Sequence, residues 1–182
     1  VLDLGCADGL LLRYLSRVSK VRGYGIEIAD ENVIACVRNG VNVIQSDLER
    51  GLAGFDAGSF DTIILSQTLQ AMRDPRAVLS DLLRIGRTAI VSVPNFGYWK
   101  NRLYLGIKGQ MPVTKTLAYE WYDTPNIHFC TLTDFVVLCE RMNIRVNRRI
   151  WVDALGNPSR FSGRSMFANL FGEQGVFLLS RA

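Results

Sequence analysis

Much of what usually announces a function is scarce in this chain. It has one histidine, His128, and four cysteines, Cys6, Cys36, Cys130 and Cys139, none of them spaced as a C-x-x-C pair. Zinc sites are built from clustered His and Cys at short spacings, so no metal site is expected. The isolated thiols read as reduced, mostly buried side chains of a cytoplasmic protein. No uninterrupted apolar run approaches the roughly 18 residues of a membrane-spanning helix. Neither an internal repeat nor a low-complexity tract is present. No secretory signal is visible, and because the chain opens inside a strand a further N-terminal segment is expected ahead of it.

Acidic residues are scarce at one end. Residues 141–182 hold seven arginines (Arg141, Arg145, Arg148, Arg149, Arg160, Arg164 and Arg181) against Asp153 and Glu173, within a formal net charge of +4. Such an excess suits an acidic ligand, an acidic partner or nucleic acid, or is a solvated face. Without aromatic residues interleaved on a recognisable binding module, nucleic acid is not expected. At 182 residues and 48% hydrophobic content, the chain is expected to form one domain over 1–182.

What is present begins at the first residue. Val1 to Leu4 reads as a buried parallel strand, and Gly5, Ala7 and Gly9 turn the backbone into a helix that starts at Leu10. In such a turn the main chain can approach a ligand closely, while the free N–H groups of the first helical turn point at it. The dinucleotide fingerprint G-x-G-x-x-G fails, because Leu10 stands at its third position. Residues 21–28 read as a second strand closed by Glu27, with Asp30 capping a helix that carries Val33, Ile34 and Val37 on one face. An acid about 20 residues past a glycine turn is placed to accept hydrogen bonds from two ribose hydroxyls. The alternative for Glu27 is a solvent-facing strand end.

Residues 41–48 read as a third strand with its exit, and Phe60 to Ser66 as the central strand, whose carboxyl end faces the ligand crevice of an open parallel sheet. Asp74-Pro75 starts a helix with Val78, Leu79, Leu82 and Leu83 as its stripe and Gly86 as its stop; Thr88 to Val93 is a fifth strand. Strand and helix alternate throughout, which implies a parallel sheet with right-handed crossovers. Residues 94–130 carry eight aromatic rings and no clear period, so they read as a lid, a docking surface, or a small cluster packed under a loop. Thr131 opens another helix, with Phe135, Val136, Leu138, Cys139 and Met142 as its stripe. Ile144 to Val152 is a sixth strand, 154–172 a loop with a short apolar turn at Met166-Phe167, and Val176 to Leu179 a last strand.

Asp3 two residues before Gly5, with small residues at 5, 7 and 9, resembles the first motif of the Rossmann-like S-adenosylmethionine (SAM) methyltransferases. Four longer stretches narrow the likeness. Pro94 to Arg102, Gly109 to Thr114 and Trp121 to His128, together with Asn169 to Gln174, are similar to the methionine-biosynthesis family MetW, and the likeness runs over nearly the whole chain. It implies an α/β class I methyltransferase fold: a seven-stranded, mostly parallel sheet with an antiparallel last strand and helices on both faces. It also implies a cytoplasmic bacterial protein of methionine biosynthesis that works beside the homoserine O-acyltransferase MetX. SAM or S-adenosylhomocysteine would sit on Asp3, Gly5, Cys6, Ala7, Asp8, Gly9, Glu27, Ile28, Ser46, Asp47, Leu48 and Ser66. In that class the aspartate past the third strand holds the adenine amino group; for Asp47 the competitor is an N-cap. The family pattern has glycine where Ala7 stands, which costs the turn some freedom to take φ > 0.

Whether the chain transfers a methyl group stays open. His128 is chemically suited as a general base, yet a lone histidine among apolar neighbours is more often a structural hydrogen-bonder. No Asn-Pro-Pro-Tyr type motif and no cysteine pair names an acceptor. One reading is a SAM-binding regulator whose aromatic connection and arginine-rich end dock the acyltransferase. Another is a small-molecule methyltransferase with Tyr98, Trp99, Trp121 and His128 around its acceptor. A third, an NAD-dependent oxidoreductase, is weakened by Leu10.

Overall fold

A computed structural model describes residues 1–158 and 166–182. Seven strands form one sheet: β1 (Leu2–Leu4), β2 (Tyr24–Glu27), β3 (Val43–Gln45), β4 (Phe60–Ser66), β5 (Gly86–Pro94), β6 (Ile144–Val152) and β7 (Gln174–Arg181). Their order is β3-β2-β1-β4-β5-β7-β6; the first five pair in parallel, and β7 runs antiparallel to both β5 and β6. The helices are α1 (Leu10–Ser19), α2 (Asp30–Arg38), α3 (Leu48–Gly51), α4 (Pro75–Ile85), α5 (Trp99–Lys108), α6 (Leu132–Arg141) and α7 (Met166–Phe171). No described helix is long and apolar enough to cross a membrane.

The period of two along each strand divides the sheet into two faces. Leu2 and Leu4 are in register with Ile63 and Leu65, these with Ala89 and Val91, and these with Leu179 and Phe177. This row, buried under Val78, Leu79 and Leu82 of α4 and Phe135 and Cys139 of α6, is the main core. Phe135, tilted, and Trp151, edge-on, both pack against Phe177, with centroids 4.5 and 5.5 Å away. The other face is covered more thinly by α1 and α2, through Leu12 and Cys36 against Val1, Val41 and Val43.

Several local expectations change. Asp30 is the first residue of α2 rather than its cap; Ala29 holds the cap position, and the Asp30 carboxylate accepts from the Gln45 amide. The stripe of α2 is also different: Ile34 and Val37 are 49% and 65% exposed, and the helix is anchored by Cys36. Beta-branched residues signalled a buried face, but a helix over the short strand β2 and the short edge strand β3 has little apolar surface to meet. Gly86 ends α4 and at once begins β5, so the connection between them has no loop. There a Cβ would come 2.4 Å from Ile63 Cγ1, so only glycine lets helix and strand join so closely. Residues 94–130 are not irregular throughout, because α5 lies inside them. In the 154–172 stretch, residues 159–165, with Arg160 and Arg164 of the basic end, lie outside the described residues. Arg145 and Arg148 lie exposed on the edge strand β6, on either side of a register shift. Charged side chains there discourage strand-to-strand association.

Candidate functional site

The carboxyl ends of β3, β2, β1 and β4 stand side by side, and the segments leaving them form the site. After β1 the backbone takes positive φ at Gly5 (+70°), Ala7 (+47°) and Gly9 (+76°). Neighbours enforce two of these glycines. A Cβ on Gly5 would meet Thr68 Oγ1 at 2.9 Å, and one on Gly9 would meet Cys36 Sγ at 3.0 Å. Ala7 pays for the same conformation, at about 1–2 kcal/mol for an L-residue. The position takes φ > 0, where glycine would sit without that cost.

Glu27 holds this turn. One carboxylate oxygen accepts from the Ala7 N–H at 2.9 Å, and the other from the N–H groups of Ile28 and Ala29 at 2.9 and 3.0 Å. The residue is therefore not a loose strand end. It joins the glycine turn to the start of α2, and it is 8% exposed. Asp3 points to the same face, 2% exposed, and among the described residues nothing hydrogen-bonds to its carboxyl. Burial, and then the nearby Glu27 charge, push its pKa up to about 6. Two buried acids, one of them without a partner, lie beneath a turn rich in N–H groups.

The other expected residues divide between crevice and core. Asp8 accepts from the Leu10 N–H at 3.2 Å, and its carbonyl accepts from Asn39 at 2.8 Å, which ties α1 to the end of α2. Ile28 is 62% exposed at the end of β2. The Ser46 N–H donates to the Glu27 carbonyl at 3.0 Å, keeping the β3 exit beside the turn. Asp47 caps α3 by accepting from the Glu49 N–H at 2.9 Å, so the capping alternative is realised. Two side chains turn away from the crevice. Leu48 is buried in the main core, and Cys6 lies beneath the turn with its Sγ 3.6 Å from Cys36 Sγ. Their contribution is limited to backbone. Burial raises the pKa of both thiols, so they stay protonated.

At the end of β4, the Ser66 hydroxyl pairs with Ser92 at 3.1 Å. The next two residues were not singled out from sequence. Gln67 has φ +54°, its N–H donates to Ser92 Oγ at 3.0 Å, and its amide donates to Gln174 at 3.2 Å. A strained non-glycine residue at the crevice end of a central strand is a common mark of a functional site. Thr68 hydrogen-bonds to the Ser66 carbonyl at 2.9 Å and packs on Gly5. Nothing in the string Ser-Gln-Thr signals the left-handed backbone.

His128 has a structural place. Its N–H donates to the Gln70 carbonyl at 3.0 Å, its Nε2 lies 3.4 Å from the Arg73 carbonyl, and it borders a cavity of about 270 Å³ with Leu69, Val93 and Phe135. Tyr98 borders a separate cavity of about 320 Å³ with Lys100, Asp153 and Glu173, and Trp121 is 69% exposed. The acceptor pocket expected from Tyr98, Trp99, Trp121 and His128 is therefore not assembled. Among the described residues no group of His, Cys, Asp and Glu is placed to hold a metal.

The comparison that decides the family covers almost every residue: the model described as "Methionine biosynthesis protein MetW" matches residues 1–179. This chain belongs to the MetW family. A curated relative of this MetW-family chain, the bifunctional methionine biosynthesis protein MetXA/MetW of Rhodopirellula baltica, is 35% identical over 162 residues. That alignment takes in 84% of this chain and 26% of the relative, so the chain spans about a quarter of the protein it matches. Solved structures described as SAM-dependent methyltransferases share the fold of this MetW-family chain. A SAM-dependent methyltransferase of Thermotoga maritima, described as a possible histamine N-methyltransferase, superimposes with a TM-score of 0.67 at 16% identity, over 100% of this chain and 81% of that one. The plantazolicin methyltransferase BpumL in complex with SAH gives 0.66 at 18% identity, over 100% and 75%. The [4+2]-cyclase SpnF gives 0.66 at 12% identity, over 99% and 74%, so one fold carries more than one chemistry.

Proposed function

We propose that this MetW-family chain binds SAM at the carboxyl edge of its sheet and acts as the SAM-reading partner of a homoserine O-acyltransferase in methionine biosynthesis. The observation that carries the ligand reading is Asp3, a buried carboxyl beside a second acid and without a hydrogen-bond partner among the described residues. Burying a charged group without compensation is costly, so this arrangement favours a ligand bearing positive charge and hydrogen-bond donors. SAM offers a cationic sulfonium and ammonium, two ribose hydroxyls and an adenine amino group. Asp3, the Gly5 to Gly9 backbone and Glu27 are the groups that would hold the amino-acid and ribose parts, with Ile28 and Asp47 toward the base. The MetXA/MetW fusion of Rhodopirellula baltica supports the partner: two functions joined in one chain in one organism often associate as separate chains in another.

Calorimetric titration with SAM tests the ligand. Asp3→Ala and Glu27→Ala are each expected to weaken binding by about 1–3 kcal/mol, the usual loss of a charged hydrogen-bond partner. Unchanged affinity in both variants would place the ligand elsewhere. Repeating the titration with the purified acyltransferase tests the partner, because a coupling between SAM and enzyme must appear from either side. The methyltransferases among the fold neighbours favour a second reading, methyl transfer to a small molecule. Bound SAM supplies the electrophilic methyl; the protein must supply a positioned nucleophile and a base. His128 is engaged with the 70–73 segment, which weighs against it as that base. Release of S-adenosylhomocysteine in a screen of metabolites would favour this reading over the first.

A further inference from the structure

The helix α5 is built inside out. Asn101 is its one buried residue, while Trp99, Leu103 and Ile107 are 38%, 52% and 74% exposed. These three follow at intervals of four residues and so form one stripe, on the side of the helix opposite Asn101. Leu105 is 39% exposed as well. A ten-residue helix is marginal alone, and burial of an apolar face normally sustains it. Here the attachment is polar and at its N-terminal end: Asn101 Nδ2 donates to the Asn95 carbonyl at 3.2 Å and Arg102 Nε to the Gly97 carbonyl at 2.6 Å. The apolar face is held outward.

Charge narrows what covers it. From Pro94 to Ala118 the sequence contains Lys100, Arg102, Lys108 and Lys115 and no acidic residue. Lys108 lies 4.5 Å over the Tyr104 ring, and Lys100 stands near Tyr98 and Trp99. Asp153 and Glu173 stand beside Tyr98 and Lys100 where the helix begins, but α5 itself carries only cations among its apolar groups, and such a face is complementary to an apolar groove with an acidic rim. We infer that α5 is the docking element for the homoserine O-acyltransferase, its Trp99, Leu103 and Ile107 entering an acid-rimmed groove on that enzyme. The inference rests on the partner reading above, and it selects α5 over the arginines of β6 and the rest of the aromatic connection.

The experiment uses the full chain and the purified acyltransferase of the same cell, with Leu103→Asp, Ile107→Asp and Lys108→Glu variants. Complex formation is followed by calorimetry, and SAM titration of each variant reports the integrity of the fold. The expected result is at least a tenfold loss of affinity for the enzyme in both Asp variants, a smaller loss in Lys108→Glu, and unchanged SAM binding. A wild-type complex that all three variants form equally well overturns α5 as the docking element and leaves the partner reading standing. Absence of any wild-type complex at micromolar concentrations overturns both. Vesicles of phosphatidylglycerol and phosphatidylcholine, and sedimentation of the chain alone, complete the set. Loss in the Asp variants of vesicle binding or of self-association, without loss of the enzyme complex, assigns the stripe to a membrane surface or a second copy and overturns the inference.

Discussion

Asp3 sits where its ionised form is least welcome, and that has a consequence for stability. Its folded pKa of about 6 lies above the ordinary carboxyl value of 3.8. The native state therefore binds the proton more tightly than the unfolded chain does. The contribution is full below pH 3.8 and is lost as pH rises through about 6. The loss is on the order of 3 kcal/mol. Asp3→Asn, which stays neutral, is expected to flatten the fall in unfolding free energy between pH 4 and pH 7 and to be more stable than wild type at pH 7, while binding SAM more weakly. Urea unfolding at several pH values checks this; parallel pH curves for the two proteins would show that Asp3 carries no such burden. A residue kept at a cost to the empty protein is the common trade between stability and binding.

Among the elements, the segment after β5 is organised by one side chain. Asn95 is 1% exposed; its amide donates to the Asn169 and Gly172 carbonyls, both at 2.7 Å, and its carbonyl oxygen accepts from the Gly97 N–H at 2.9 Å. It thereby joins the end of β5, the approach to α5 and the helix α7. Asn95→Ala leaves several buried backbone groups unpaired, and a destabilisation of about 2–4 kcal/mol is expected, measurable as a shift in the denaturation midpoint. A change below about 0.5 kcal/mol would mean that water replaces the amide without loss. The Pro-Asn-Phe-Gly string that stands out in the sequence is thus a structural junction. By contrast, α6 forms as its sequence suggests: Thr131 and Asp134 make a reciprocal capping box, and Phe135 and Cys139 are buried.

For the whole molecule, the sheet divides the work: the α4 and α6 face supplies the core, and the carboxyl edge carries the proposed site. A ligand that binds only the folded state raises stability by about 2.7 kcal/mol at one hundred times its dissociation constant. Saturating SAM is accordingly expected to raise the thermal midpoint of the wild type and to raise that of Asp3→Ala far less at the same concentration; equal shifts in both would detach the acid from the site. The succession of strands along the chain, the helices α1, α2, α4 and α6 and the glycine turn were legible in advance, because apolar periodicity and small residues at fixed spacing act locally. The central strand Phe60–Ser66 was read with its observed limits for this reason. The exposed face of α2 and the outward stripe of α5 were not legible, since a helical period tells that one face differs from the other but not which surface lies opposite. Nor was the strained backbone of Gln67, or the engagement of His128 with the 70–73 segment. By itself the sequence determined the α/β architecture and the place of the acidic, glycine-lined turn. Only the tertiary structure decided that Glu27 is held by three backbone N–H groups, that Asp3 has no hydrogen-bond partner among the described residues, and that α5 turns its apolar side to solvent, because each of these depends on what distant segments leave uncovered.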